Sequence, residues 1–203
     1  MRSAMRAGKP YVVAPQGSFD PWALRQNRWG KQIYGALTEV PLLRSASCMQ
    51  ALTEKEVAQF RSGGLHGPAS IIPNGVPAAN TETERQPGAL ASRLGLPLGS
   101  RTLLFLSRVH PKKGLDILIE AFSRFAIFNP DVVLVIAGSD GGSGYLAQMK
   151  ALANTYGLDA RIRFLGEVAG DYKQAVLLGA DAYALISRSE GLPVAALEAL
   201  GAG

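Results

Sequence analysis

Apolar positions in this chain follow two rhythms: short unbroken runs, and stretches where they recur every three or four residues. Tyr11-Val12-Val13-Ala14 is a run of the first kind, closed by the turn Pro15-Gln16-Gly17. Residues from about 21 to 43 have helical character, with Pro41 placed to kink or break the helix. Cys48 to Leu52 predicts a short strand. Thr53-Glu54-Lys55-Glu56 predicts a helix start with Thr53 as N-cap and Glu56 completing a capping box. Ser70-Ile71-Ile72 is another short strand, ended by the turn Pro73-Asn74-Gly75. Residues from about 77 to 86 are polar and aperiodic, which marks a connection between two parts.

From Thr102 onward the alternation is more regular. Strands are predicted near 102–107, 132–137, 161–165 and 181–186, with helical stretches between them. Leu115, Leu118, Ile119, Phe122 and Ala126 recur at helical spacing and define one buried face. Strands about thirty residues apart fit βαβ units and a parallel sheet. The fold class is therefore α/β. The chain divides into residues 1–80, a linker over 81–100, and residues 101–203.

Two stretches carry candidate chemistry. The apolar run Leu103-Leu104-Phe105-Leu106 ends in Ser107-Arg108-Val109-His110-Pro111-Lys112-Lys113-Gly114. This sets Arg108 at the carboxyl end of a strand and Lys113 at the start of the next helix. In open α/β sheets ligands bind at that edge. A forked guanidinium and a point-charge ammonium there suit a diphosphate. The alternative is that both merely solvate a βα turn. Farther on, Glu190 and Glu198 stand eight residues apart across Gly191-Leu192-Pro193. Pro193 fits the first turn of a helix, so Glu190 lies in the loop before it and Glu198 about 7 Å along its axis. The free N–H groups of such a helix start bind anions. One carboxylate would flank the anion and the other would lie deeper, a layout for a phosphate with hydroxyls on both sides, as in a sugar nucleotide. An ordinary loop glutamate followed by a helical one is the alternative. In the Gly-rich turn 138–144, only Gly138 is expected to line a site.

Together these stretches resemble a known family. Ser-Arg-Val-His-Pro-Lys-Lys-Gly is similar to the arginine–lysine diphosphate loop of the retaining glycosyltransferases of family 4, and Glu190 to Glu198 resembles their Glu-x7-Glu motif. Ile72-Pro73-Asn74-Gly75-Val76 is similar to the segment that closes their first domain, and Arg163-Phe164-Leu165-Gly166 to the turn whose backbone faces the nucleobase. Ala180-Asp181-Ala182 and Glu198-Ala199-Leu200 fall in the family's order and spacing. The resemblance covers nearly the whole chain. It implies the GT-B arrangement, two Rossmann-like domains with parallel sheets. Both would be incomplete here: residues 1–80 would be the end of an acceptor-side domain and 101–203 the beginning of a donor domain. On that reading the chain is a fragment truncated at both ends and inactive by itself.

The resemblance also implies roles. Arg108 and Lys113 would neutralise the departing diphosphate, helped by backbone N–H groups near Gly191 and Leu192. Glu190 would contact the donor sugar, and Glu198 would hold the ribose hydroxyls. Gly138, Leu165 and Gly166 would complete the donor pocket. Arg108, Lys113 and Glu190 are thus the catalytic candidates. The donor is a nucleoside-diphosphate sugar, with no metal and no further cofactor, and the acceptor is a glycan, a lipid-linked sugar or a small molecule. The sugar and the base are not legible, because backbone holds the base. Many members carry a histidine where Gln16 stands. His66, in a Gly-rich loop, is expected to be exposed, and His110, inside the basic loop, to fill a turn or to touch a phosphate. A GT-B-like nucleotide-sugar epimerase and a non-catalytic nucleotide-sugar-binding subunit are the other readings.

Composition limits the remaining classes. An apolar share of 47% against 18% charged residues supports a substantial core and fits a cytoplasmic α/β protein. A single cysteine, Cys48, rules out an internal disulfide. No run reaches the ~20 apolar residues of a membrane helix, and Tyr11–Ala14 is too short for a signal-peptide core. The net charge of +5 is uneven: residues 1–80 hold nine Lys/Arg against four Asp/Glu, and residues 81–203 hold twelve of each. Part of the excess lies in the aromatic, basic helix expected around 21–34, which could touch an anionic membrane surface at the inner face or simply be solvated. No nucleic-acid-binding module is present.

Overall fold

A computed structural model of the protein describes residues 2–16, 40–76 and 86–203. The basic helix expected around 21–34 and the connection at 77–85 lie outside the described residues. By its contacts the chain forms two compact units.

The first unit contains α1 (Arg2–Arg6), β1 (Val12–Val13), α2 (Val40–Arg44), β2 (Cys48–Ala51), α3 (Glu54–Ser62) and β3 (Ala69–Ile71). The strands form a parallel sheet in the order β1-β2-β3. Its core gathers Val13, Leu43, Met49, Ala51, Phe60 and Leu65. Pro41 sits inside α2. The capping box at α3 forms with a shift of one residue. Thr53 accepts from the Glu56 N–H at 3.3 Å, whereas the Glu56 carboxylate accepts from the Leu52 N–H at 2.7 Å, not from that of Thr53.

The second unit holds α4 (Ala89–Arg93), β4 (Arg101–Leu106), α5 (Leu115–Phe128), β5 (Val132–Ala137), α6 (Tyr145–Thr155), β6 (Ile162–Gly166), α7 (Gly170–Gly179), β7 (Ala182–Tyr183) and α8 (Val194–Gly201). The sheet is parallel throughout, in the order β6-β5-β4-β7. Because successive side chains on a strand point to opposite faces, the apolar runs feed two cores. Phe105, Leu134, Ile136 and Ile162 pack with Leu115, Leu118, Ile119 and Phe122 of α5 and Met149 of α6. Leu104, Leu106, Val133 and Val135 pack with Leu90 of α4 and Val176 of α7. Helices on both faces are the arrangement expected of a parallel sheet. It explains why β5 is buried from end to end.

Two expectations shift. Part of the stretch read as linker is built into the second unit, since Leu90 of α4 is 1% exposed and enters a core. The last strand, expected over 181–186, is only two residues long. Its start is fixed by Asp181, whose Oδ2 accepts from the Thr102 N–H at 2.7 Å and from the Thr102 hydroxyl at 2.9 Å. Thr102 is 1% exposed, so removing its acceptor strands buried donors. Asp181→Ala is expected to cost about 1.5–3 kcal/mol, the range for hydrogen bonds to a charged group. Urea unfolding monitored by circular dichroism checks it.

Candidate functional site

At the carboxyl end of β4 the chain leaves the sheet as Ser107-Arg108-Val109 and turns over a short 3₁₀ helix, Pro111–Lys113. Val109 is fully buried and its N–H donates to the Ser139 carbonyl at 2.9 Å, which ties the turn to the end of β5. Arg108 on this anchored turn is exposed, and Lys113 is half-buried. His110 caps the 3₁₀ helix. Its Nδ1 accepts from the Lys112 N–H at 3.1 Å, which requires that nitrogen to be unprotonated. Partial burial, followed by the charges of Arg108, Lys112 and Lys113, holds the ring below the ordinary histidine pKa. His110 is therefore a neutral turn-filler, as the sequence suggested, in a loop otherwise cationic. His66 is exposed.

Two glycines set the geometry of this edge. Gly138 follows β5 with φ +145°, and its N–H donates to the Gly166 carbonyl at 2.6 Å. A Cβ at Gly138 would stand 1.8 Å from the Ser107 carbonyl oxygen. Gly114 has φ +68°, and a Cβ there would stand 1.8 Å from the Ile186 carbonyl oxygen. Backbone from β4, β5 and β6 thus converges where Arg108 emerges. Leu165 packs partly buried against the second core. The rest of the Gly-rich turn is organised by Asp140, which accepts from the N–H groups of Gly142 at 3.0 Å and Leu146 at 3.1 Å. Those donors hold the Asp140 carboxyl below its ordinary pKa.

Of the nine residues singled out, Arg108, Lys113, Gly138, Leu165, Gly166 and Glu198 belong to the second unit. Arg108, Lys113, Gly138 and Gly166 are brought to one sheet edge. Glu198 lies on α8, which begins after Pro193, and both of its oxygens face the Lys173 ammonium of α7 at 2.6–2.7 Å. Glu190, Gly191 and Leu192 group with the first unit. There a Cβ on Gly191 would stand 2.7 Å from Glu56 Oε1. Glu56 is 2% exposed, and among the described residues that oxygen has no hydrogen-bond partner.

Residues 89–203, more than half the chain, match the family described as glycosyl transferases group 1. The chain belongs to that family. The D-inositol 3-phosphate glycosyltransferase of Mycolicibacterium gilvum is 32% identical over 174 residues, covering 83% of this chain and 38% of its own length. The enzyme of the same name from Mycobacterium leprae is 33% identical over 117 residues, 57% of this chain and 26% of its own. HepE of Anabaena, crystallised with UDP and glucose, matches with a TM-score of 0.80 at 21% identity, over 98% of this chain and 52% of that one. Sucrose-phosphate synthase of Thermosynechococcus elongatus matches with a TM-score of 0.69 at 22% identity, over 100% of this chain and 56% of that one. These likenesses establish the GT-B fold. This group 1 chain spans about half the length of the structures and 38% of the first curated relative.

Three polar side chains of this group 1 chain escaped the sequence reading. Lys173 pairs with Glu198 from 25 positions away. Asp116 and Arg188 pair across 72 positions, at 2.5 and 2.8 Å. Separations of that size leave no periodic signal. The one sequence cue was local, Arg188 standing two residues before Glu190.

Among the described residues, no helix is long and apolar enough to cross a membrane.

Proposed function

We propose that this chain provides the donor side of a family 4 glycosyltransferase. The reaction moves a sugar from a nucleoside-diphosphate sugar to an acceptor hydroxyl, with retention and without a metal. The observation that carries the reading is the cationic turn of Arg108 and Lys113, anchored at the carboxyl edge of a parallel sheet in a group 1 chain. As the bond from the sugar to the diphosphate breaks, negative charge grows on the leaving oxygens. Fixed donors aimed at such charge are often the largest catalytic contribution, about 3–4 kcal/mol for one good donor. Arg108 and Lys113 fill that role, with the N–H groups near Gly191 and Leu192. Glu190 contacts the donor sugar. Glu198 accepts from the ribose hydroxyls. Gly138 and Gly166 leave room for close backbone approach, and Leu165 with Gly166 borders the base. UDP is present with HepE, which makes a uridine diphosphate sugar the first donor to test. The acceptor is a glycan, a lipid-linked sugar or another small hydroxyl compound.

The test is a transfer assay on the protein that carries this chain, with labelled nucleoside-diphosphate sugars, with and without a hydroxyl acceptor pool. Labelled glycoside that forms only with acceptor present, keeps the donor's anomeric configuration and is undiminished by EDTA is the expected result. Conversion of the sugar without acceptor would indicate an epimerase. Tight binding with no turnover would indicate a binding subunit. An inverted product or loss of activity in EDTA would overturn retention or metal independence.

A further inference from the structure

Arg188 makes contacts beyond those a surface arginine needs. Its backbone N–H donates to the Lys112 carbonyl at 2.8 Å. Its Nη1 donates to the Pro111 carbonyl at 2.7 Å and to Asp116 Oδ1 at 2.8 Å, and its Nη2 donates to Asp116 Oδ2 at 2.5 Å. Asp116 Oδ1 also accepts from the Tyr145 hydroxyl at 3.2 Å, which links the group to α6. Between the 3₁₀ turn and α5, Gly114 lies so close to the chain leading to Arg188 that no Cβ fits against the Ile186 carbonyl. The 3₁₀ turn holding Lys112 and Lys113 is therefore fastened to segment 186–188 at three places: the Lys112 carbonyl, the Pro111 carbonyl and the first turn of α5 through Asp116.

The pieces suit this task. The fork of an arginine engages a carboxylate with two parallel bonds and fixes direction as well as distance. A cation beside the carbonyl end of a helical turn, and an anion in the first turn of α5, each complement the local helix dipole. Arg188 and Asp116 side chains are 35% and 33% exposed, and Arg188 is the main cause that holds the Asp116 carboxyl below its ordinary pKa. A pair this accessible contributes little to global stability. Its geometry, in contrast, decides where the lysine-bearing turn stands relative to the sheet edge.

We propose that Arg188 and Asp116 form a positioning clamp that sets the Pro111–Lys113 turn for recognition of the terminal phosphate of a nucleoside diphosphate. This rests on the donor-site reading above. Neither residue touches the ligand in this account; both act through Lys113. The clamp should therefore affect the distal phosphate selectively and leave the nucleoside and its first phosphate almost untouched.

The experiment measures dissociation constants of UDP and UMP, with the ADP/AMP and GDP/GMP pairs alongside, for the full chain and for Arg188→Met, Arg188→Lys and Asp116→Asn. For the pair that the unmodified chain prefers, Arg188→Met should lower the diphosphate-to-monophosphate affinity ratio by about tenfold, an ordinary coupling between contacting groups, with monophosphate affinity held. Arg188→Lys, which keeps one cation but not the fork, should fall between, and Asp116→Asn should shift the ratio in the same direction. These two conservative variants carry the test where Arg188→Met does not fold. An unchanged ratio, or diphosphate and monophosphate affinities falling by the same factor, would overturn the clamp. Failure of the unmodified chain to prefer any diphosphate over its monophosphate would overturn the donor-site reading itself, and the clamp with it.

Discussion

Gly138→Ala is expected to unfold the second unit or to cost more than about 4 kcal/mol, at the far end of what one substitution does. The reason is local and severe. The new methyl would stand 1.8 Å from the Ser107 carbonyl oxygen and 2.9 Å from its carbon, both of them backbone. A flexible side chain can rotate away from a clash, whereas these atoms continue β4. Ser107 is itself tied by its N–H to the Ala137 carbonyl at 3.1 Å. Backbone at φ +145° is moreover open to glycine and nearly closed to alanine. Relief would need the ends of β4 and β5 to part, which would break the Ser107–Ala137 bond and displace Arg108. Guanidinium unfolding of the variant measures the effect. An unfolding free energy within about 1 kcal/mol of that of the unmodified protein would mean that the three strand ends do not meet as described. Gly142→Ala is the control, since a Cβ there meets nothing within 4 Å although its φ of +80° disfavours alanine.

Lys113→Ala and Arg108→Ala are each expected to weaken nucleoside diphosphate binding by about ten- to a hundredfold. A hydrogen bond to a charged group contributes about 1.5–3 kcal/mol, and each 1.4 kcal/mol is tenfold. The corresponding monophosphate should lose far less. If both cations serve one diphosphate as proposed, the two changes should not add, because the survivor can shift toward it; departures of about 0.5–3 kcal/mol from additivity are usual for such pairs. Arg108 is exposed, so its replacement should leave the thermal midpoint of the ligand-free protein nearly unchanged. Binding isotherms for both singles and the double provide the check. Equal losses for diphosphate and monophosphate would move these residues away from the distal phosphate.

What could be read from the sequence follows from the range of each interaction. The second unit was legible because β4 and β5 are unbroken apolar runs, and α5 shows one clean face in Leu115, Leu118, Ile119 and Phe122. The cationic turn was legible because Arg108 and Lys113 are five residues apart. Helix α4 was missed because it is five residues long and begins at Gly88 without a side-chain cap. The sequence predicts a longer strand β7 than forms, because the apolar run continues past Tyr183. After Ala184 donates to the Leu104 carbonyl, the chain instead turns to the 3₁₀ helix at Lys112. The ion pairs Lys173–Glu198 and Asp116–Arg188, and the Asp181–Thr102 clasp across 79 positions, exist only once the sheet has brought distant segments together. Glu198 is marked in the sequence by its spacing from Glu190; its ion-pair partner Lys173 has no such mark.

The most direct test of the central claim is thermal unfolding of the chain with and without UDP, ADP and GDP, each beside its monophosphate. A folded donor unit should give a cooperative transition that one diphosphate raises, by about 2.7 kcal/mol at a hundredfold excess over its dissociation constant, and that its monophosphate raises less. A clean transition that no nucleoside diphosphate moves would contradict a diphosphate site at Arg108 and Lys113.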